Sequence, residues 1–173
     1  MRSIRTVLLT SALVLSLAAS AAAQQTVFVV RHAERADGTV VDANPRMSPA
    51  IDPPLSVAGH ERAMRLAAML RQAGIKKIFT TEFVRTWQTA TPTAEALMLS
   101  VTKVSSKDLD ALLAGITGAQ GNVLVVGHSN TVPDVLKRLG IKDTVTIAES
   151  DYDNLFIVVR PAAGDPTLIR LRY

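Results

Sequence analysis

The chain has 173 residues, with 19 Lys+Arg against 15 Asp+Glu, 48% apolar and 4% aromatic residues, and no cysteine. That composition excludes a polyelectrolyte or generally disordered chain, a disulfide-stapled miniprotein and any Cys-ligated metal site. Clustered Lys/Arg with interleaved aromatics is also missing, which argues against a nucleic-acid surface.

Arg2 and Arg5 precede an apolar run over residues 7–19, and Ala21 and Ala23 then fit an A-x-A cleavage pattern. Residues 1–23 are therefore expected to be a cleavable signal peptide. Their apolar core is well short of the roughly 20 residues a spanning helix needs. The expected product is one domain over residues 24–173, exported to the periplasm or the medium and free of the membrane after cleavage. Without Arg2 and Arg5 its formal charge falls from +4 to +2. About 150 residues are enough to bury a core without staples.

Residues 26–30 form a β-branched apolar run ending at Arg31, a buried first strand. A loop over residues 36–54 follows, punctuated by Gly38, Pro45, Pro49, Pro53 and Pro54. Its length marks it as functional or mobile. Ser56 then stands at an N-cap position, before apolar residues at helical spacing up to Gly74. Residues 76–80 read as the second strand and residues 84–98 as a helix that Pro92 should kink or split. A third strand is expected over 101–104, a short helix over 108–116 and an apolar strand over 122–126 ending at Gly127. Residues 131–139 read as a helix stopped by Gly140. Strands over 155–160 and 167–171 complete the chain around the turn at 161–166. Strands alternating with helices predict an α/β three-layer sandwich, a mostly parallel sheet with helices on both faces.

In such sheets ligands gather at the carboxyl ends of the strands. Three polar clusters fall there: Arg31 to Glu34, Thr80 to Arg85, and Gly127 to Asn130. Two imidazoles, His32 and His128, thus accompany two guanidinium forks, Arg31 and Arg85. Guanidinium pairs bidentately with phosphate oxygens, and a neutral imidazole is a competent nucleophile near neutral pH. Together they point to phosphoryl transfer, with the arginines supplying the charge that a metal would otherwise bring.

Arg31-His32-Ala33-Glu34 after the first strand, Asp52-Pro53-Pro54-Leu55-Ser56 with Gly59, Arg62 and Ala63, Thr80-Thr81 to Arg85-Thr86-Trp87-Gln88-Thr89-Ala90, and Gly127-His128-Ser129 resemble the histidine phosphatase (phosphoglycerate mutase-like) superfamily. The resemblance covers essentially residues 24–173, and the shortness of the chain is similar to the small phosphohistidine-phosphatase type. It implies that His32 is the nucleophile, that Arg31 and Arg85 hold the phosphate, and that His128 completes the phosphate pocket as a donor. Ala33 departs from the glycine usual in the family and adds one methyl group. Glu34 is expected to orient the site and to accept from a neighbouring arginine.

The general acid is left open between Asp108, at about the family's spacing beyond the second arginine, Asp110, Glu82, and none. His60 reads as a solvated helical residue, Trp87 as packing its helix on the sheet, and Ser129 and Asn130 as caps of the following helix. A serine hydrolase elbow at Gly127-His128-Ser129 fails because Thr131 stands where glycine is required. A metallohydrolase using His32, Glu34 and His128 would set two arginines against the metal. The expectation is an exported, metal-independent and cofactor-free phosphatase of phosphomonoesters or phosphoramidates, monomeric or weakly associating, with a small phosphorylated substrate. The alternative is a non-catalytic phosphate- or sugar-phosphate-binding protein of the same fold.

Overall fold

The computed structural model describes residues 24–36 and 52–173. The expected signal peptide and most of the expected 36–54 loop lie outside the described residues. In chain order the elements are β1 (Gln25–Arg31), α1 (Val57–Leu70), β2 (Ile75–Thr80), α2 (Val84–Leu97), β3 (Val101–Lys103), α3 (Leu109–Gly118), β4 (Asn122–Gly127), α4 (Thr131–Arg138), β5 (Asn154–Arg160) and β6 (Thr167–Arg172).

Six strands make one sheet in the order β3-β2-β4-β1-β5-β6. β3, β2, β4 and β1 run parallel, while β5 is antiparallel to both β1 and β6. The parallel half needs helical crossovers, which α2, α3 and their neighbours provide. The β5–β6 pair needs only a hairpin turn. This α/β sheet matches the expected sandwich, with its antiparallel edge added by the last two strands.

Period-two burial sorts β1 between two cores. Val27 and Val29 face a cluster completed by Ile116 of α3 and by Val132, Val135 and Leu136 of α4. Phe28 and Val30 face the other, with Leu66 and Leu70 of α1 and Ala90 and Ala94 of α2. Because β1 is central and covered on both faces, it reads as an uninterrupted apolar run. Each fully buried Val or Leu contributes about 1.5–3 kcal/mol over its exposed state.

Ser56 caps α1 as expected, its hydroxyl accepting from the Gly59 N–H at 3.1 Å. Pro92 does not split α2, which continues to Leu97. Burial of Ala90, Thr93 and Ala94 on both sides of the proline holds the helix together. Beyond α4, Gly140 takes φ 93°, a conformation that strains other L residues, and turns the chain back. Among the described residues no helix is long and apolar enough to cross a membrane.

Candidate active site

The parallel pairing of β1 with β4 places Arg31 opposite Gly127. The next residues, His32 and His128, therefore leave the sheet side by side. The His32 N–H donates to the Gly127 carbonyl at 2.9 Å, and the two rings meet edge to face with centroids 5.3 Å apart. Arg31, His32 and His128 are buried, with 2%, 4% and 7% of their surface exposed. Arg85 arrives from the first turn of α2.

The hydrogen bonds fix the tautomer of each imidazole. His32 Nδ1 lies 2.8 Å from the Ala33 carbonyl, which can only accept, so Nδ1 carries the proton. In the neutral ring Nε2 is then left with its lone pair. Burial, and then the charges of His128, Arg85 and Arg31, hold the His32 pKa down to about 3 against the pull of the Ala33 carbonyl. The ring is therefore neutral across the physiological range.

His128 follows the same logic. Its Nδ1 lies 3.5 Å from Arg85 Nη2, a donor only, while its Nε2 lies 2.9 Å from Thr81 Oγ1. Nε2–H therefore donates to Thr81, which donates to Thr86 Oγ1 at 2.9 Å, and the Thr86 hydroxyl ends on the Phe83 carbonyl at 2.7 Å. Burial and then Arg85 push the His128 pKa down to about 4. Thr81 and Thr86 are themselves buried, so this chain is closed to solvent.

Arg31 is anchored largely by neutral acceptors. Its Nη1 donates to the carbonyls of Ala148 and Glu149 at 2.8 and 2.9 Å, its Nη2 to Glu149 Oε2 at 2.9 Å, and its plane covers the Tyr152 ring. Arg85 stacks on Phe83 and donates from Nη1 to Asp52 Oδ1 at 3.2 Å. The Nε–H groups of both arginines are buried without a partner among the described residues. Two donors orphaned in this way are costly unless an anion meets them.

Asp52 has a second task. Phe83, the N-cap of α2, offers no side-chain oxygen, and both Asp52 oxygens accept from the Val84 N–H at 3.0 and 2.9 Å. The residue before Pro53 thus caps the helix that carries Arg85. Segment 52–56 is pinned on its other side to the exit of β1, by Ala36 N–H to the Pro54 carbonyl and Ser56 N–H to the Glu34 carbonyl, both 2.9 Å. Gly59 permits that approach, since a Cβ there would stand 2.1 Å from the Glu34 carbonyl oxygen.

Glu34 does meet an arginine, though not one in the pocket. Arg62 of α1 forks onto it, with Nε 2.9 Å from both carboxylate oxygens and Nη2 2.6 Å from Oε1. Despite the cost of burial, that fork holds the Glu34 carboxyl below its usual range. Arg62 Nη1 also donates to the backbone oxygen of Tyr173, which follows β6.

The pocket itself has a volume of about 370 Å³ and is lined by Arg31, His32, Arg85, His128, Ser129 and Glu149, with Arg35 and Lys107 also on its wall. That is room for a phosphoryl group and a modest leaving group. Asp108 does not line it. This residue caps α3 through the Ala111 N–H at 2.9 Å and borders a separate small cavity beneath β2 and β4. Asp110 pairs with Arg138 at the surface, and Glu82 binds the Ser106 N–H and hydroxyl. Among the described residues no three His, Asp or Glu side chains gather as a metal-binding set.

His60 is exposed and turned to its own helix start, bonded to the Ser56 carbonyl. Ser129 and Asn130 do not cap α4 with their side chains. Thr131 Oγ1 instead accepts from the His128 N–H at 2.8 Å, and Ser129 donates to Glu149 Oε1 at 2.7 Å. Trp87 is 40% exposed, with Lys103 at the end of edge strand β3 lying over its ring.

A neutral imidazole with a free Nε2, set among buried guanidinium donors at the carboxyl ends of parallel strands, defines a phosphoryl-transfer class of site. The sequence profile of the histidine phosphatase superfamily (branch 1) matches residues 27–115. The chain belongs to that superfamily, whose members are phosphatases and mutases.

Solved structures agree on the fold. A proposed phosphohistidine phosphatase, SixA, from Agrobacterium tumefaciens superposes with a TM-score of 0.63 at 21% identity, over 86% of this chain and 98% of that one. The protein histidine phosphatase SixA complexed with tungstate gives 0.59 at 20% identity, over 85% and 96%. Phosphoglycerate mutase from Bacillus anthracis gives 0.64 at 16% identity, over 88% and 94%. No curated protein matches the sequence.

Proposed function

We propose that this protein is an exported, metal-independent phosphatase that hydrolyses phosphomonoesters or phosphoramidates through a phosphohistidine on His32. The observation that carries the reading is the His32 ring. Its Nδ1–H is committed to the Ala33 carbonyl and its Nε2 lone pair is free, beside the unpartnered Nε–H groups of Arg31 and Arg85. Membership of the superfamily supports the same reaction class. Export rests on the composition of residues 1–23.

In the first step Nε2 attacks phosphorus, the bond to the leaving group breaks, and the guanidinium groups stabilise charge on the non-bridging oxygens. Water then attacks the phosphohistidine, the P–N bond breaks and His32 returns. In this reading His128 donates to a non-bridging oxygen. Thr81 can accept from its Nε2–H while its Nδ1 takes up a proton, because a bound dianion reverses the electrostatics that keep this ring neutral. Small phosphorylated compounds fit an open pocket, and the SixA likeness is compatible with a phosphoramidate among them.

The test is rapid labelling of the protein with residues 1–23 removed, using a radioactive phosphate donor with and without EDTA. Acid-labile label should appear in the wild type and be absent from His32→Ala, with turnover lower by about 10⁴-fold or more. Normal turnover in His32→Ala overturns the mechanism. Phosphate binding without turnover across sugar phosphates, nucleotides, aryl phosphates and phosphohistidine would indicate a binding protein instead.

A further inference from the structure

The carboxylates near the pocket have separate commitments. Glu34 lies in the Arg62 fork, Asp52 caps α2, Glu82 holds Ser106, and Asp108 caps α3. Among the described residues only Glu149 lines the pocket with an acid. It stands between α4 and β5 with its side chain 74% exposed, Oε2 on Arg31 Nη2 and Oε1 on the Ser129 hydroxyl.

We propose that Glu149 is a catalytic residue, the acid that protonates the leaving oxygen and the base that later takes a proton from water. This inference rests on the phosphohistidine reading above. Glu149 shares its guanidinium with the expected phosphoryl group, so its carboxyl stands within reach of the phosphoryl oxygens. Exposure leaves it free to turn about its side-chain bonds and to exchange protons with solvent.

The electrostatics change sign with occupancy. In the free pocket the Ser129 hydroxyl, and next the Arg31 charge, keep the Glu149 carboxyl below its usual range, and Arg35 adds to this from the exit of β1. A phosphoryl dianion competes for Arg31 and sets like charge beside the carboxyl, both of which raise its proton affinity. The acid is thus charged with a proton when substrate is present and loses it when phosphate leaves.

The steps balance. As the bond between His32 Nε2 and phosphorus forms, the P–O bond breaks and the Glu149 proton passes to the departing oxygen, which leaves as an alcohol. In the second step the Glu149 carboxylate accepts a proton from water, the water oxygen bonds to phosphorus, and the P–N electron pair returns to Nε2.

A leaving-group comparison tests this. Phosphoenzyme formation is followed in single turnover with p-nitrophenyl phosphate, whose leaving group needs little protonation, and with glycerol 2-phosphate, whose alkoxide needs it fully. In Glu149→Gln the ratio of the aryl to the alkyl rate should rise about 100-fold over wild type. Asp37→Asn and Asp42→Asn, in the segment outside the described residues, should leave that ratio as it is. The proposal falls if Glu149→Gln slows both substrates equally, which would make Glu149 a support for Arg31 only. It falls equally if an Asp37 or Asp42 variant moves the ratio, or if wild type accepts label from the aryl ester alone. Absence of label on His32 in the wild type overturns the function reading itself, a distinct result.

Discussion

Cationic side chains at the strand ends and at the β5–β6 edge are held in opposite ways. At the edge Lys142 pairs with Asp165 and Arg170 with Asp143, each exposed and matched one to one. At the strand ends Arg31 is buried against two backbone carbonyls, the Tyr152 ring and Glu149, and the half-buried Arg85 rests on the Phe83 ring and Asp52, with an Nε–H left over on each. Neutral acceptors position a guanidinium without cancelling its charge. Exposed pairs are screened by water and contribute little, whereas the pocket keeps a positive field that a ligand can use.

Breaking that difference at its strongest point, Arg85→Ala should lower kcat/KM by about 10²–10³-fold in steady-state assays with p-nitrophenyl phosphate. An unchanged value would mean that the orphaned Nε–H plays no part in the reaction. Acid should act next most strongly. His32 and His128 sit at about 3 and about 4 in the folded chain, below an unfolded value near 6.5. The unfolded chain thus holds more protons as pH falls from 6.5 toward 4, and stability is lost over that window at about 1.4 kcal/mol per pH unit for each histidine. Urea unfolding at pH 7, 6 and 5 measures the slope. Inorganic phosphate in the buffer should flatten it, because a bound anion favours protonated rings.

Asp52→Ala removes a helix cap and the tether of Arg85 together. About 1 kcal/mol of stability should go with the cap. Turnover should fall about tenfold, with Asp52→Asn recovering part of the stability but less of the rate. At the other extreme, Lys142→Ala should change neither the thermal midpoint nor turnover beyond experimental error. A clear loss there would erase the contrast between the two regions.

Much of this contrast is legible in the sequence. The run from Thr26 to Val30 and the run from Asn122 to Val126 announce buried strands with polar residues at their ends, and the pairing of β1 with β4 then brings those residues together. Ser56 and Gly140 also carry their local roles in the sequence. What escaped depends on pairings between distant residues of ordinary type. Nothing local tells that Asp52 reaches Val84 N–H, that Ser129 turns to Glu149 rather than capping α4, or that Thr81 and Thr86 back His128. Asp108 shows the limit of spacing arguments, since a suitable count of residues led to an acid that serves as a helix cap. Pro92 shows another, because flanking burial outweighed one missing hydrogen bond.

The central place of β1 also bears on how the chain acquires its structure in time. Its hydrogen-bonded neighbours are β4 and β5, with Val27 beside Val123 on one side and Val158 on the other. The first strand made must wait for two of the last, so the loop closures come before the contacts that reward them. High contact order of this kind slows folding and keeps an apolar strand unpaired meanwhile. His32 directly follows that strand and so should be among the last groups to reach its native geometry. During refolding, recovery of turnover should follow the slowest phase of core formation rather than precede it.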